Sequence, residues 1–248
     1  MSSPNSVSHE IAATLRNEIL RGQYRVGERL PSERDLSVRF NVSRGAVREA
    51  LSQLEQQGIT ETQPGGVRIK PLQEATLSIL GPLMSLNPIP DPDLVDQFLE
   101  VFSALTQLTV KNAIDHASVE QLLVIEQYLA HLREVSSQSF EAMQPHWQAM
   151  LEYMASIDDN LVAKLIGKDI KAQFIGRMLE LDIKPEIECQ AGQKLVEKLA
   201  VAMTNKDGKS AAQAFEDHFN VIRNGVRKAL VALQQGKTQA ADLQRTGT

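Results

Sequence analysis

The sequence predicts a mainly α chain in two parts. An N-terminal winged helix-turn-helix occupies residues 1–72, an all-α helical bundle occupies 73–235, and a polar tail at 236–248 is expected to be disordered. Apolar residues recur at helical spacing almost throughout, and the one place that reads as a hairpin flanks "PGG" at 64–66. Charge is also divided: residues 1–70 carry ten Lys/Arg, nine of them Arg, against eight Asp/Glu, whereas 71–248 carry sixteen against twenty-three, in a chain of net charge −5. A basic, arginine-rich head on an acidic body is the pattern of a nucleic-acid-binding module joined to a part that binds something else.

Composition narrows the class. With 248 residues, 42% of them hydrophobic, the chain can build one large core or two smaller ones. Its single cysteine, Cys189, excludes an intrachain disulfide and suits a reducing compartment, where it reads as a small helical side chain. There is no run of eighteen apolar residues, and "MSSPNSVSHE" has no hydrophobic signal core, so a cytoplasmic protein without a membrane partner is expected. No G-x-S-x-G, phosphate-cradling glycine loop, H-E-x-x-H or usefully spaced Cys/His couple occurs. The paired acids Asp158 and Asp159 fall at a helix junction, where capping explains them better than acid–base work. No enzymatic activity and no cofactor are expected.

In the head, "SHEIAATLRNEILR" at 8–21 places Ile11, Leu15, Ile19 and Leu20 on one helical face, and Gly22 ends it. "YRVGERLP" is an irregular connector. Ser32 caps a second helix, with Asp35 three positions on, Leu36 and Phe40 facing inward, and a break at Asn41. Ser43 caps a third helix, with Val42 and Val47 placed as a hydrophobic staple. Along it Ala46, Val47, Ala50, Leu51 and Leu54 form the apolar stripe, and Arg44, Gly45, Arg48, Glu49, Ser52 and Gln56 the opposite side. Gly58 stands where a left-handed C-cap residue belongs. "ITETQPGGVRIKP" then reads as a hairpin with a glycine tip, the wing.

Four arginines fall within residues 31–51: Arg34, Arg39, Arg44 and Arg48. A helix N-terminus in a major groove offers unpaired N–H groups and a positive dipole end to phosphates. Arginine's planar fork fits a phosphate or the O6/N7 edge of guanine. Gly45 and Ala46 keep the helix start slim enough for its backbone to approach a duplex, and Gly65 and Gly66 do the same for the wing tip.

With those residues in place the chain resembles the GntR family of bacterial transcription regulators. The pattern G(E/D)xLPSERxLxxxFxVSRxxVREALxxLxxxG followed by a glycine wing runs from Gly27 to Gly66. The resemblance implies that Arg34, Arg44 and Arg48 contact operator bases and phosphates, with backbone contacts from Ser43, Gly65 and Gly66. It also implies a double-stranded, palindromic operator read by a homodimer, and repression as the usual outcome. One departure lies in the wing: "QPGGVRI" is one residue shorter than the usual form and has Gln63 where arginine is common.

Beyond the wing, "LQEATLSILGPLMSL" reads as a short helix and "NPIPDP" as a proline-rich break. Asp91 or Asp93 opens a long helix to about residue 117, and Ser118 caps the next. The third, from Phe140, is expected to break or kink near Pro145. Asn160 starts a fourth towards Leu181, "KPEI" interrupts, and helices from Cys189 and from Asp207 complete the set. This all-helical body resembles the FadR-type branch of the family, most members of which hold a divalent metal that helps bind a carboxylate effector. Aligned on "ASIDDN" and "KDGKSAAQAFEDHF", the four ligand positions fall on Trp147, Leu151, Val196 and His218, and an arginine common in the branch falls on Phe102. Three of the four ligand positions offer no lone pair to a cation, so no metal is expected. Two readings stay open. The site is a pocket retuned for a small hydrophobic effector, as in acyl-CoA-responsive, metal-free members, with His218 and Arg177 anchoring a polar end. Or it is closed core, and the bundle serves only dimerisation.

Overall fold

The structure, a computed structural model, describes the backbone of residues 4–135, 140–180 and 189–246, and side chains within 7–135, 142–173 and 190–235. Two compact units divide the chain, Met1–Pro88 and Ile89–Thr248.

The first unit is built on three helices, α1 (Pro4–Leu20), α2 (Glu33–Phe40) and α3 (Arg44–Gln56), and one hairpin, β1 (Thr60–Gln63) with β2 (Gly66–Ile69). Ser32 caps α2 by accepting from the Asp35 N–H at 3.2 Å while its hydroxyl donates to the Asp35 carboxylate at 2.6 Å. Asn41 closes α2 in the left-handed region, φ 52°, where a short polar side chain is tolerated. Two residues later Ser43 caps α3 by accepting from the Ala46 N–H at 3.3 Å. The C-terminus of α3 is a Schellman motif: Gly58 donates to the Glu55 carbonyl (2.9 Å) and Ile59 to that of Leu54 (3.3 Å), with Gly58 at φ +74°. Leu15, Leu36, Val47, Leu54 and Ile59 are all buried, with Ile11, Leu51 and Ile69 around them, so each helix gives one face to a shared core.

β1 and β2 are antiparallel in the register Thr60↔Ile69 to Gln63↔Gly66, which leaves Pro64 and Gly65 as the turn. Proline followed by a glycine at φ +102° is the order a type II turn requires. Residues 27–30 add a short third line: Leu30 donates to the Val67 carbonyl (2.9 Å), Ile69 to that of Glu28 (3.0 Å), and Arg29 stands opposite Arg68.

The segment expected as one short helix after the wing is three pieces: 3-10 turns at Leu72–Glu74 and Leu77–Ile79, then α4 (Leu80–Met84). Ala75 and Thr76 between them are extended. Extension is enforced because the Thr76 N–H donates to the Gln57 carbonyl (2.9 Å), a bond a continuous helix would forbid. Ile79 is buried in the head core, with Ala75 and Leu83 packed against it. That packing puts the compact-unit boundary at Pro88, beyond residue 72.

The second unit holds α5 (Pro92–His116), α6 (Val119–Val135), α7 (Phe140–Ile157), α8 (Leu161–Glu180), α9 (Cys189–Thr204) and α10 (Gly208–Thr246). Asp91 caps α5, accepting from the Asp93 N–H at 3.0 Å. Ser118 and Gln121 form a reciprocal capping box at the start of α6, with bonds of 3.2 and 2.8 Å. Asn160 accepts from the Ala163 N–H at 3.0 Å to open α8. α7 runs on through Pro145, which lies close enough to its start that the lost N–H costs a single bond of the first turns. "KPEI" lies outside the described residues.

α5 and α10 pair along their length. Gly208 starts α10 against α5, donating to Asp115 at 3.1 Å, and a methyl there would collide with the Lys111 carbonyl. Further on, Arg223 grips Asp96 with two bonds of 2.9 and 2.8 Å and holds that carboxyl below its usual range. α10 is helical to Thr246, through the stretch expected to be disordered. "TQAADLQR" lacks proline and glycine and is rich in good helix formers, so a helix already running has nothing to stop it.

Candidate nucleic-acid interface

The four arginines of residues 31–51 have different partners. Arg39 is bound by Glu18 of α1, whose carboxylate also accepts from the Tyr24 hydroxyl at 3.4 Å, and its guanidinium lies 4.9 Å from the Phe40 ring centroid. It ties α2 to α1. Arg48 makes a two-pronged pair with Glu33, Nε to Oε1 at 3.2 Å and Nη2 to Oε2 at 2.9 Å. That bond is the main reason the Glu33 carboxyl stays below its ordinary range, with desolvation opposing and the charge of Arg44 helping. Arg48 is nonetheless 72% exposed, so its remaining N–H groups face water.

Arg34 and Arg44 differ from both. Each is exposed, and neither makes a hydrogen bond or ion pair among the described residues. Arg34 occupies the first turn of α2 and Arg44 opens α3. Ser43 and Gly45 beside it are exposed too, and a Cβ on Gly45 would meet only the Ser43 hydroxyl, at 3.8 Å. The first turn of α3 carries no acid of its own, so its free N–H groups and the Arg44 charge make a positive end, with Glu33 of α2 the acid beside it. Gly65 is exposed at the wing tip with open space around it, and Gly66 comes next at φ +133°. Together this is a surface suited to phosphates and base edges, with cations held out on short helices and slim backbone between them.

The residues expected around an effector come together in the second unit. Trp147 and Val196 are buried in one apolar cluster with Phe215 and Phe219, and Phe102 and Leu151 pack against it. The rings interlock edge to face: Trp147 to Phe215 at 5.8 Å and Phe102 to Phe219 at 5.9 Å. His218 lies beside Trp147, centroids 6.0 Å apart, and burial pushes its imidazole down to about 4, a hydrogen bond with the Ala191 backbone offsetting little of this. The Arg177 side chain lies outside the described residues. Among the described residues no group of three or more His, Cys, Asp or Glu is placed to hold a metal ion, and no helix is long and apolar enough to cross a membrane.

His218 also faces outward, onto a cleft of about 410 Å³ between α9 and α10 bordered by Lys194, Lys198, Asn224 and Lys228. Sequence reasoning did not reach these lysines. The i, i+4 spacing of Lys194 and Lys198 was visible, but that their helix meets the one carrying Lys228 was not.

The comparisons with known proteins agree with this geometry in the head. Residues 7–68 match the profile of the bacterial regulatory proteins, gntR family. The HTH-type transcriptional repressor NanR of Edwardsiella tarda is 31% identical over 137 residues, covering 54% of this chain and 51% of that protein. NanR of Escherichia coli K12 is 31% identical over the same length, covering 50% of its own. The chain thus spans about half the length of the curated relatives it matches. Among solved structures, Lar, described as controlling expression of the Listeria monocytogenes agr system and mediating virulence, aligns with a TM-score of 0.50 at 17% identity over 89% of this chain and 96% of that one. At that identity the likeness concerns fold alone. From residue 7 to residue 68, then, this chain is similar to the helix-turn-helix domain of the gntR family of bacterial regulatory proteins.

Proposed function

We propose that the protein is a sequence-specific, DNA-binding transcriptional regulator that acts as a repressor. The observation that carries this is the pair of exposed arginines without partners, Arg34 and Arg44, at the starts of α2 and α3, with Arg48 one turn further on. Ser43, Gly45 and Gly65 supply close backbone approach, and Gly66 takes part with the Arg29 side chain laid over it. The curated relatives named as repressors support the sign of regulation. One recognition helix spans only a few base pairs, so a homodimer on a palindromic operator is the arrangement that reaches useful selectivity.

The bundle is read as the part that modulates operator binding. An effector held near Phe102, Trp147, Leu151, Val196 and His218, with Arg177 at a polar end, would be recognised mainly by apolar contact. The interlocked rings favour the second reading, a closed bundle that serves dimerisation, because edge-to-face aromatic packing leaves little room for a guest.

A gel shift on duplex from the gene's own upstream region tests the function, with light scattering on the same sample. Wild type is expected to shift as a dimer. Arg44→Ala should lose specific binding, since each bidentate base contact is worth roughly 1–3 kcal/mol of discrimination, while its melting temperature stays put. Unchanged affinity in that variant would sink the assignment.

A further inference from the structure

The wing is poorly supplied with cations of its own. Arg68 gives Nη1 to the Gly27 carbonyl at 2.8 Å, and Lys70 pairs with Glu74 at 2.9 Å. Gln63, before the turn, donates to Glu61 across two residues of the same strand. Every basic side chain that the hairpin and its exit contribute is therefore already engaged.

Arg29 arrives from another part of the chain. The line of residues 27–30 runs antiparallel to β2, and Arg29 stands opposite Arg68. Side chains alternate along a strand, so 29, 66 and 68 share one face of the small sheet. Gly66 has no side chain on that face, and the Arg29 guanidinium occupies the space: a methyl on Gly66 would collide with Arg29 Nε and stand 2.9 Å from Cζ. The Arg29 side chain is exposed and makes no hydrogen bond or ion pair among the described residues.

We infer that Arg29 is a phosphate-binding residue of the wing, carried on the strand before α2 and seated on Gly66 in place of an arginine on the hairpin. This rests on the DNA-binding reading above. A guanidinium packed over a glycine but still exposed keeps N–H groups available to an anion. Its confinement to that seat lowers the ordering cost of gripping a phosphate. Such a contact positions the protein on the duplex and carries no sequence preference.

The test is a titration of full-length protein against two duplexes, the upstream region and a scrambled sequence, over a series of KCl concentrations. Arg29→Gln is expected to weaken both complexes by the same factor and to make the dependence of log K on log salt shallower by about 0.9, the value of one lost phosphate contact. Arg29→Lys, which keeps the charge, should restore the slope. Arg29→Gln with wild-type slope overturns the assignment, as does a loss of binding that Arg29→Lys leaves at the shallower slope, because that would mark a structural role. If wild-type protein binds neither duplex at low salt, the DNA-binding reading itself falls, an outcome distinct from binding with an unaltered slope.

Discussion

The outer surface of the head and the interior of the bundle make opposite use of their distinctive residues. In the head, Arg34 and Arg44 stand in water on a core that does not need them, since Leu36, Val47 and Leu54 hold the helices together from the other side. In the bundle, Trp147, Val196 and His218 are the core. On the proposed reading, function and stability are therefore separable in the first region and would be fused in the second. A surface side chain can be exchanged for the sake of binding alone, while an interior one answers to packing first.

The largest expected effect lies in the bundle. Trp147→Ala should cost about 3–5 kcal/mol of unfolding free energy, the usual range for emptying a buried aromatic site. The Trp147 Nε1–H finds no acceptor among the described residues, so Trp147→Phe removes an orphaned donor and should cost far less. Urea denaturation of both variants distinguishes a packed core from a loose pocket: similar, small losses for the two would mean that the site is open.

Next in size is a dependence on pH set by a buried imidazole in the bundle. The His218 imidazole is lowered by burial from its ordinary 6.5 to about 4, so the unfolded chain binds the proton more readily. Its contribution to stability is intact above pH 6.5 and drains away as pH falls towards 4, by roughly 3 kcal/mol in all. His218→Gln should flatten the denaturation midpoint across that window. A variant as steep as wild type would place the acid sensitivity elsewhere.

The smallest effect returns to the head. Glu33→Gln removes the acid that holds Arg48 in place and that also interacts electrostatically with Arg44. Selectivity for operator over scrambled duplex should fall severalfold, and affinity for scrambled DNA should hold or rise, because a negative charge has left the phosphate-facing surface. Equal losses on both duplexes would mean that Glu33 serves the fold.

How far the sequence could be read depended on how local each feature is. Caps at Ser32, Ser43, Ser118 and Asn160, and the Gly58 terminus, are made by neighbours in the chain and are legible in the sequence, as is Asp91 as one of two candidates with Asp93. The division of labour among the arginines was not. Arg39 belongs to Glu18 and Arg48 to Glu33 only because three helices converge, and Arg29 reaches the wing only because 27–30 pairs with β2. The connector after the wing was misread as one helix because a bond from Thr76 to Gln57 overrides a propensity that "EATLSIL" alone expresses. In the bundle, the apolar residues at the expected ligand positions could be named in advance, but their edge-to-face fit and the lysine-lined cleft beside His218 depend on which helices meet.

The end of α3 is fastened to residues 74–76 of the connector. A methyl on Gly58 would stand 2.7 Å from the Glu74 carbonyl oxygen and 3.1 Å from the Ala75 Cα, and the Thr76 N–H is bonded to Gln57. The C-terminus of α3 is thus braced against the connector. In the proposed DNA complex, a change in the path of residues 74–76 would be passed to α3, and the angle at which Arg44 met its target would follow the chain thirty residues downstream of it.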